Sequence, residues 1–267
     1  MKPEGLDEAR AAHEVAHGRR IAQGDTEALW GWGTPAGKRR AIRRARLIAD
    51  GAGLRPGTRA LEIGCGTGLF TEMFAQSGAQ LVAVDISGDL LEKARLRRLP
   101  PEQVTFLKKR FEDCDVDGPF DAVIGSSVLH HLEIGPALRR IYQLLRPGGV
   151  MSFAEPNMRN PQVFAERRLR FLFPRVSPDE TAFVRGRLAK LLAGTGFEDV
   201  EVVPYGWLHP AVPAFCVGPT ESIEAALEAI PLIREFSGSL YIRARRPMSN
   251  HTARRCPRAH DERVSSR

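Results

Sequence analysis

The chain has 267 residues, 43% hydrophobic and 27% charged, which suits one α/β domain with decorated ends. No apolar run reaches the ~18 residues that a membrane-spanning helix needs. Four scattered cysteines (Cys65, Cys114, Cys216 and Cys256) include no C-x-x-C pair, which argues against a zinc site or disulfide framework and points to a reducing cytoplasm.

Residues 1–54 read as a helical N-terminal cap. The first residues carry Glu4, Asp7, Glu8 and Glu14, not the basic start and apolar stretch of a signal peptide. Trp30-Gly-Trp32-Gly-Thr-Pro35 forms an aromatic turn. A basic helix from Gly37 to Ala52 then stops at Gly53, and Arg55-Pro56-Gly57 leads into the first strand, Ala60–Ile63. That strand is followed by Gly64-Cys65-Gly66-Thr67-Gly68 and a helix from Leu69. The second strand, Leu81–Val84, ends at Asp85, with a helix from Asp89 to Leu96. Pro100-Pro101 precedes the third strand, Val104–Leu107, and Gly118-Pro119 the fourth, Ala122–Gly125. A helix Pro136–Leu145 and the Pro147-Gly148-Gly149 turn lead to the fifth strand, Val150–Ala154. Residues 155–185 are broken by four prolines and carry a basic, aromatic segment, predicting a lid beside the site. The chain resumes with a helix, Thr181–Ala193, and strands Val200–Val203 and Leu240–Ala244.

The formal net charge is +7. From Arg243 to Arg267 there are eight arginines against Asp261 and Glu262, so residues 247–267 read as a disordered basic tail. Charge alone admits a nucleic-acid partner, but a solvated helix face plus this tail is the favoured account of it.

The glycine loop and Asp85 carry the chemistry. Glycine leaves no Cβ between loop and ligand. The helix after the loop has free N–H groups at its start. An acid roughly 20 residues on is placed to grip a ribose diol. A nicotinamide or flavin fingerprint needs G-x-G-x-x-G, whereas the glycines here fall as G-x-G-x-G, with Leu69 in the third position of the nucleotide pattern. Glu62, ending the strand, suits a cationic ligand better than a pyrophosphate.

At this point the sequence resembles the class I S-adenosylmethionine-dependent methyltransferases of small-molecule type. Asp121–Leu132 resembles the family's fourth strand and cofactor-facing turn, Leu144–Glu155 its helix end and fifth strand, and Gly196-Phe197-Glu-Asp-Val the start of its sixth. The match covers residues 55–246, taken as the methyltransferase domain. It implies a doubly wound, mostly parallel seven-stranded sheet of Rossmann-like fold. It also implies S-adenosylmethionine held by Glu62, Gly64, Gly66, Gly68, Asp85, Ile86, Phe111 and Ser126. One departure stands out: the position after strand three that usually holds an acid for the adenine amino group is Arg110, with Phe111, Glu112 and Asp113 following.

Methyl transfer needs positioning more than acid–base chemistry. His131 is the candidate base, ahead of His130. Glu155, Asn157, Tyr205 and His209 are candidate acceptor-site residues, with Trp207, Phe164, Phe171 and Phe173 as an aromatic wall; no metal site is expected. The predicted acceptor is a small apolar or aromatic metabolite. RNA and a lipid-like acceptor at a membrane surface are the alternatives. Ser126-Ser-Val-Leu129 stands where the base-flipping adenine methyltransferases have an Asn/Asp-Pro-Pro-Tyr box.

Overall fold

A computed structural model describes residues 4–169 and 182–248. The predicted tail 247–267, Phe171, Phe173 and part of the predicted lid lie largely or wholly outside the described residues.

The elements run α1 (Glu4–Ala22), α2 (Thr26–Leu29), α3 (Pro35–Ala52), β1 (Arg59–Ile63), α4 (Leu69–Ala75), β2 (Gln80–Asp85), α5 (Gly88–Arg95), β3 (Val104–Lys108) and β4 (Phe120–Ser126). They continue α6 (Ile134–Leu144), β5 (Leu145–Pro156), α7 (Pro161–Arg168), α8 (Arg185–Thr195), β6 (Glu198–Tyr205), α9 (Val217–Ala229), α10 (Pro231–Arg234) and β7 (Ser239–Arg245). The seven strands form one sheet in the order β3-β2-β1-β4-β5-β7-β6. The five from β3 to β5 are parallel, and β7 runs antiparallel to both neighbours. The sheet is the doubly wound, mostly parallel one predicted from the sequence.

Local chemistry explains the elements. In α3, Thr34 Oγ1 accepts from Gly37 N at 3.0 Å, Pro35 occupies the first turn, and Gly53 closes the end with φ +64°. Ala41, Ala45, Ile48 and Ala52 form its buried stripe, packed with Phe74 on one face of the sheet. The opposite face is covered by α6 and α8 through Leu138, Ile141, Leu188 and Leu192. Central strands β1 and β4 are buried on both faces, as parallel strands between helix layers must be.

Most element boundaries shift by a residue or two from the sequence reading, and three shifts have a clear cause. Strand five starts at Leu145 instead of Val150, because Leu145 pairs with Phe120 before a register shift resumes the ladder at Ala122↔Val150. The predicted turn Pro147-Gly148-Gly149 therefore lies within the strand as an irregularity. Helix α8 starts at Arg185 because Phe183 bridges Asn157, holding the preceding chain extended. Strand six is longer than predicted at both ends, Glu198–Tyr205, following its antiparallel partner.

The strand order reverses between β1 and β4, and a crevice forms outside the carboxyl ends of the strands there. The β1–α4 loop, the end of β2 and the turn after β4 all open on it. Among the described residues no helix is long and apolar enough to cross a membrane.

Candidate active site

The crevice is a cavity of about 450 Å³. Gly64, Gly66, Asp85, Ile86, Phe111 and Ser126 all line it, as does His131. Glu62 and Gly68 stand behind the lining. Gly66 has φ +53°, and a Cβ there would sit 3.1 Å from the Trp30 ring, which also lines the cavity. Gly68 begins α4 at φ +75°. Close backbone approach and left-handed geometry together require glycine in this loop.

Asp85 anchors the loop from below. Its Oδ2 accepts from Gly66 N at 2.8 Å and its Oδ1 from Ser87 N at 2.8 Å. Burial raises its pKa, and these two N–H groups work against that rise. Each oxygen retains a further acceptor position, which is what a ribose diol requires. Glu62 is 1% exposed, and burial pushes its pKa up to about 8, with the neighbouring Thr71 hydroxyl opposing the rise and the Asp85 charge adding to it. Its Oε2 is a buried oxygen without a hydrogen-bond partner. Burial thus favours the protonated form of this carboxyl.

Ile86, Leu90 and the segment Lys109–Glu112 also line the cavity. Phe111 sits in a short 3-10 turn and is buried. Arg110 occupies the unusual position with Glu112 Oε2 at 3.5 Å and Asp113 Oδ2 at 3.4 Å. The basic side chain is thus neutralised by the two acids that follow it.

The turn after β4 brings two histidines to the lining. His130 is 3% exposed, and its Nδ1 lies 2.7 Å from Glu155 Oε2. Glu155 Oε1 accepts from Val128 N at 2.9 Å and Leu129 N at 2.8 Å. Burial pushes the Glu155 carboxyl up, but the His130 ring and the two N–H groups outweigh it and hold the pKa below the usual value. An ionised Glu155 accepts only, so Nδ1 carries the proton and the basic lone pair is on Nε2. His131 stacks on His130 with ring centroids 4.2 Å apart, and its Nδ1 is 3.1 Å from Glu14 Oε2 of α1.

Beneath the same turn lies Arg44 of α3, 5% exposed. Its guanidinium donates to Ser127 Oγ at 2.6 Å, Ser126 Oγ at 3.3 Å, Ala154 O at 3.2 Å and Ser239 Oγ at 2.7 Å. It also lies 5.6 Å from the Trp32 ring centroid. Ser127, at φ +55°, is held in a conformation uncommon for serine. The sequence reading saw only a basic solvated helix here; a buried cation at the spacing of Ala41, Ala45 and Ile48 was the available signal.

The four predicted acceptor residues lie away from the cavity lining. Glu155 is fully buried beneath the His130 turn. Asn157 is 1% exposed and spends its amide on Glu235 O and Ser237 O, pinning the chain before β7. Tyr205 packs in the core cluster with Ile48 and Tyr241. His209 is exposed and sits 3.0 Å from Gln162 Nε2. Being at the carboxyl end of a strand did not ensure facing the crevice, because β7 and the segment before it cover that edge. The lining comes instead from α1 (Glu14, His17, Ile21), Trp30 and Trp32, and the edge of α7, Glu166 and Arg167. A polar α1 gave no amphipathic pattern by which its role over the cavity could be read.

Residues 61–151 match the model of a methyltransferase domain family. The chain is 39% identical over 114 residues to a ubiquinone biosynthesis O-methyltransferase of Xanthomonas campestris pv. campestris, covering 41% of this chain and 47% of that protein. It is 36% identical over 160 residues to the protein of that name from Nitrobacter winogradskyi, covering 54% and 59%. The chain thus spans about half the length of the curated relatives it matches. Among solved structures, the N-methyltransferase NodS from Bradyrhizobium japonicum, in complex with S-adenosyl-L-homocysteine, superposes with TM-score 0.60 at 19% identity. That match covers 87% of this chain and 98% of NodS.

Proposed function

Since this chain belongs to the class I S-adenosylmethionine-dependent methyltransferase family, we propose that it methylates a hydroxyl of a small, apolar or aromatic metabolite. The observation that carries this reading is the placement of the glycine loop with Asp85 and the Glu155-held His130 on one cavity. Bound S-adenosylmethionine would supply a methyl group already activated by its sulfonium.

The chain's own residues then have positional tasks. Asp85 would accept from the two ribose hydroxyls, while Gly64 and Gly66 would let the cofactor lie against backbone. Ile86 and Phe111 would flank the adenine, and Ser126 would face the amino-acid end, where Arg44 would lend positive charge through the two serines. Glu62 and Gly68 support the loop from behind. His130, held as the Nε2 base by Glu155, takes the proton of the acceptor hydroxyl, a role worth about 10²–10⁴ in rate for a positioned base. His131 is assigned to holding α1 over the cavity through Glu14, in place of the base role suggested by sequence. The relatives' names support a hydroxyl acceptor. A cytoplasmic setting belongs to the same proposal, with Cys65 and Cys114 as buried free thiols.

Incubating the chain with S-adenosylmethionine and a panel of catechols and phenols, read by a mass gain of one methyl, tests the assignment. Product that disappears in His130→Gln, with cofactor affinity retained, is the expected outcome. Cofactor binding with methylation confined to amines would overturn the hydroxyl assignment.

A further inference from the structure

We propose that Arg10 of α1 pairs with a carboxylate on the acceptor, so that the molecule methylated is an aromatic acid carrying the reactive hydroxyl. Arg10, Glu14, His17, Gly18 and Ile21 follow the spacing that puts side chains on one helix face, and all of them line the cavity. Two contacts fix this face in place. A Cβ on Gly18 would sit 2.6 Å from Ser87 Oγ, so the helix backbone packs directly on the turn after β2. Glu14 Oε2 lies 3.1 Å from His131 Nδ1 on the turn after β4. Arg10 is one turn beyond Glu14, about 6 Å further along the axis in the direction away from Gly18.

The Arg10 guanidinium stands unmatched. Its Nε and Nη2 are buried and have no hydrogen-bond partner. Buried polar groups are nearly always paired, and a charge left unpaired there is costly. Other charged side chains of the lining have their partners. Lys109 pairs with Asp115, Arg110 with Glu112 and Asp113, and Asp85 with the N–H groups of Gly66 and Ser87.

The chemistry of the unpartnered edge selects the ligand. Nε and Nη2 lie on the same side of a guanidinium, and their N–H bonds run parallel, which matches the two oxygens of a carboxylate. The same two atoms of Arg39 hold both oxygens of Glu221 in this chain, at 2.8 and 3.1 Å. A carboxylate entering the cavity would close that fork on Arg10. Glu14 and Glu166 also line the cavity. Their presence suits a group with one negative charge better than a phosphate monoester with nearly two.

Two carboxylates are candidates for this edge, the acceptor's and the cofactor's own. The proposed function places the cofactor's amino-acid end at Ser126, where Arg44 supplies the positive charge. Arg10 instead stands one turn from Glu14, whose partner His131 stacks on His130, the base for the acceptor hydroxyl. Carboxylate and hydroxyl would then be gripped at two points, which orients the ring toward the methyl donor. Assigning the carboxylate to the acceptor rests on the hydroxyl-methylation reading.

Calorimetric titration of two probes into the full chain saturated with S-adenosyl-L-homocysteine tests the proposal without requiring turnover. The probes are protocatechuate and the catechol that carries a methyl in place of its carboxylate. The wild type is expected to bind the acid at least about tenfold more tightly, as one charge-assisted pair provides. Arg10→Gln should abolish that preference, and Arg10→Lys, which keeps the charge but loses the fork, should retain only part of it. Both variants should hold S-adenosyl-L-homocysteine as tightly as the wild type. Equal affinity of the wild type for the two probes, or a preference that survives Arg10→Gln, overturns the proposal. So does a variant of unchanged melting temperature whose affinity for S-adenosyl-L-homocysteine falls by about tenfold, since Arg10 would then serve the cofactor's carboxylate. Binding of the acid as expected, with no catechol methylated, would support the carboxylate site and count against the hydroxyl-methylation reading alone.

Discussion

His130 Nδ1 and Glu155 Oε2 lie 2.7 Å apart, with neither side chain more than 4% exposed. This buried pair joins the end of β5 to the turn after β4 and fixes which ring nitrogen is basic. Glu155→Gln still offers an oxygen to Val128 N and Leu129 N but loses the charge that supports an imidazolium. Its kcat is expected to fall by about 10²-fold, with the Kd for S-adenosyl-L-homocysteine nearly unchanged and the pH–rate profile shifted. Glu155→Ala removes every acceptor and should lower stability by about 3–5 kcal/mol, read by denaturant unfolding.

Acid should break the same pair. The folded pKa of Glu155 lies below its unfolded value, so its stabilisation is present above the usual carboxylate range. That stabilisation is lost as pH falls through the folded pKa. Thermal melts of wild type and Glu155→Gln should diverge most near neutrality and converge as the solution is acidified.

Glu62 should behave in the opposite way. Its pKa rises to about 8 on folding, so its contribution is complete below the unfolded value near 4.5. That contribution is lost as pH climbs toward 8. Glu62→Gln, which cannot ionise, is expected to melt progressively higher than wild type between about pH 5 and 8, by a few kcal/mol at the upper end. Parallel melting curves across that range would show that Glu62 is ionised throughout.

Gly66 tests the close approach. Gly66→Ala places a Cβ 3.1 Å from the Trp30 ring and forces alanine to φ +53°. The strain should cost about 1–2 kcal/mol of stability. Cofactor affinity should fall further than stability does, since the methyl also enters the cavity.

Arg44 tests the buried cation. Arg44→Lys retains charge but loses the planar fork that reaches both Ser127 and Ser239. Weaker cofactor binding with a stability loss of about 1–3 kcal/mol is expected. Equal cofactor affinity would confine Arg44 to a structural role.

The sheet and its loops were legible because parallel strands between helix layers are short apolar runs and the glycines punctuate them. Gly64, Gly66, Asp85, Ile86, Phe111 and Ser126, the positions the family resemblance pointed to, all line the cavity. The acceptor side was not legible in the same way. Glu155 and Asn157 were assigned to it from position alone, yet both are absorbed by hydrogen bonds inside the fold. Their partners Val128 and Ser237 are distant in sequence, and no local pattern reports such contacts. Trp30 and Glu14 lie on elements whose docking over the cavity depends on tertiary packing, so composition revealed the elements without their destination.

Calorimetric titration of S-adenosyl-L-homocysteine into the wild type and Asp85→Ala tests the central claim most directly. Saturable one-site binding to the wild type, weakened by at least about tenfold in the variant as one charge-assisted hydrogen bond requires, is the result predicted. No binding to a folded wild type, or equal affinity in the two proteins, would contradict it.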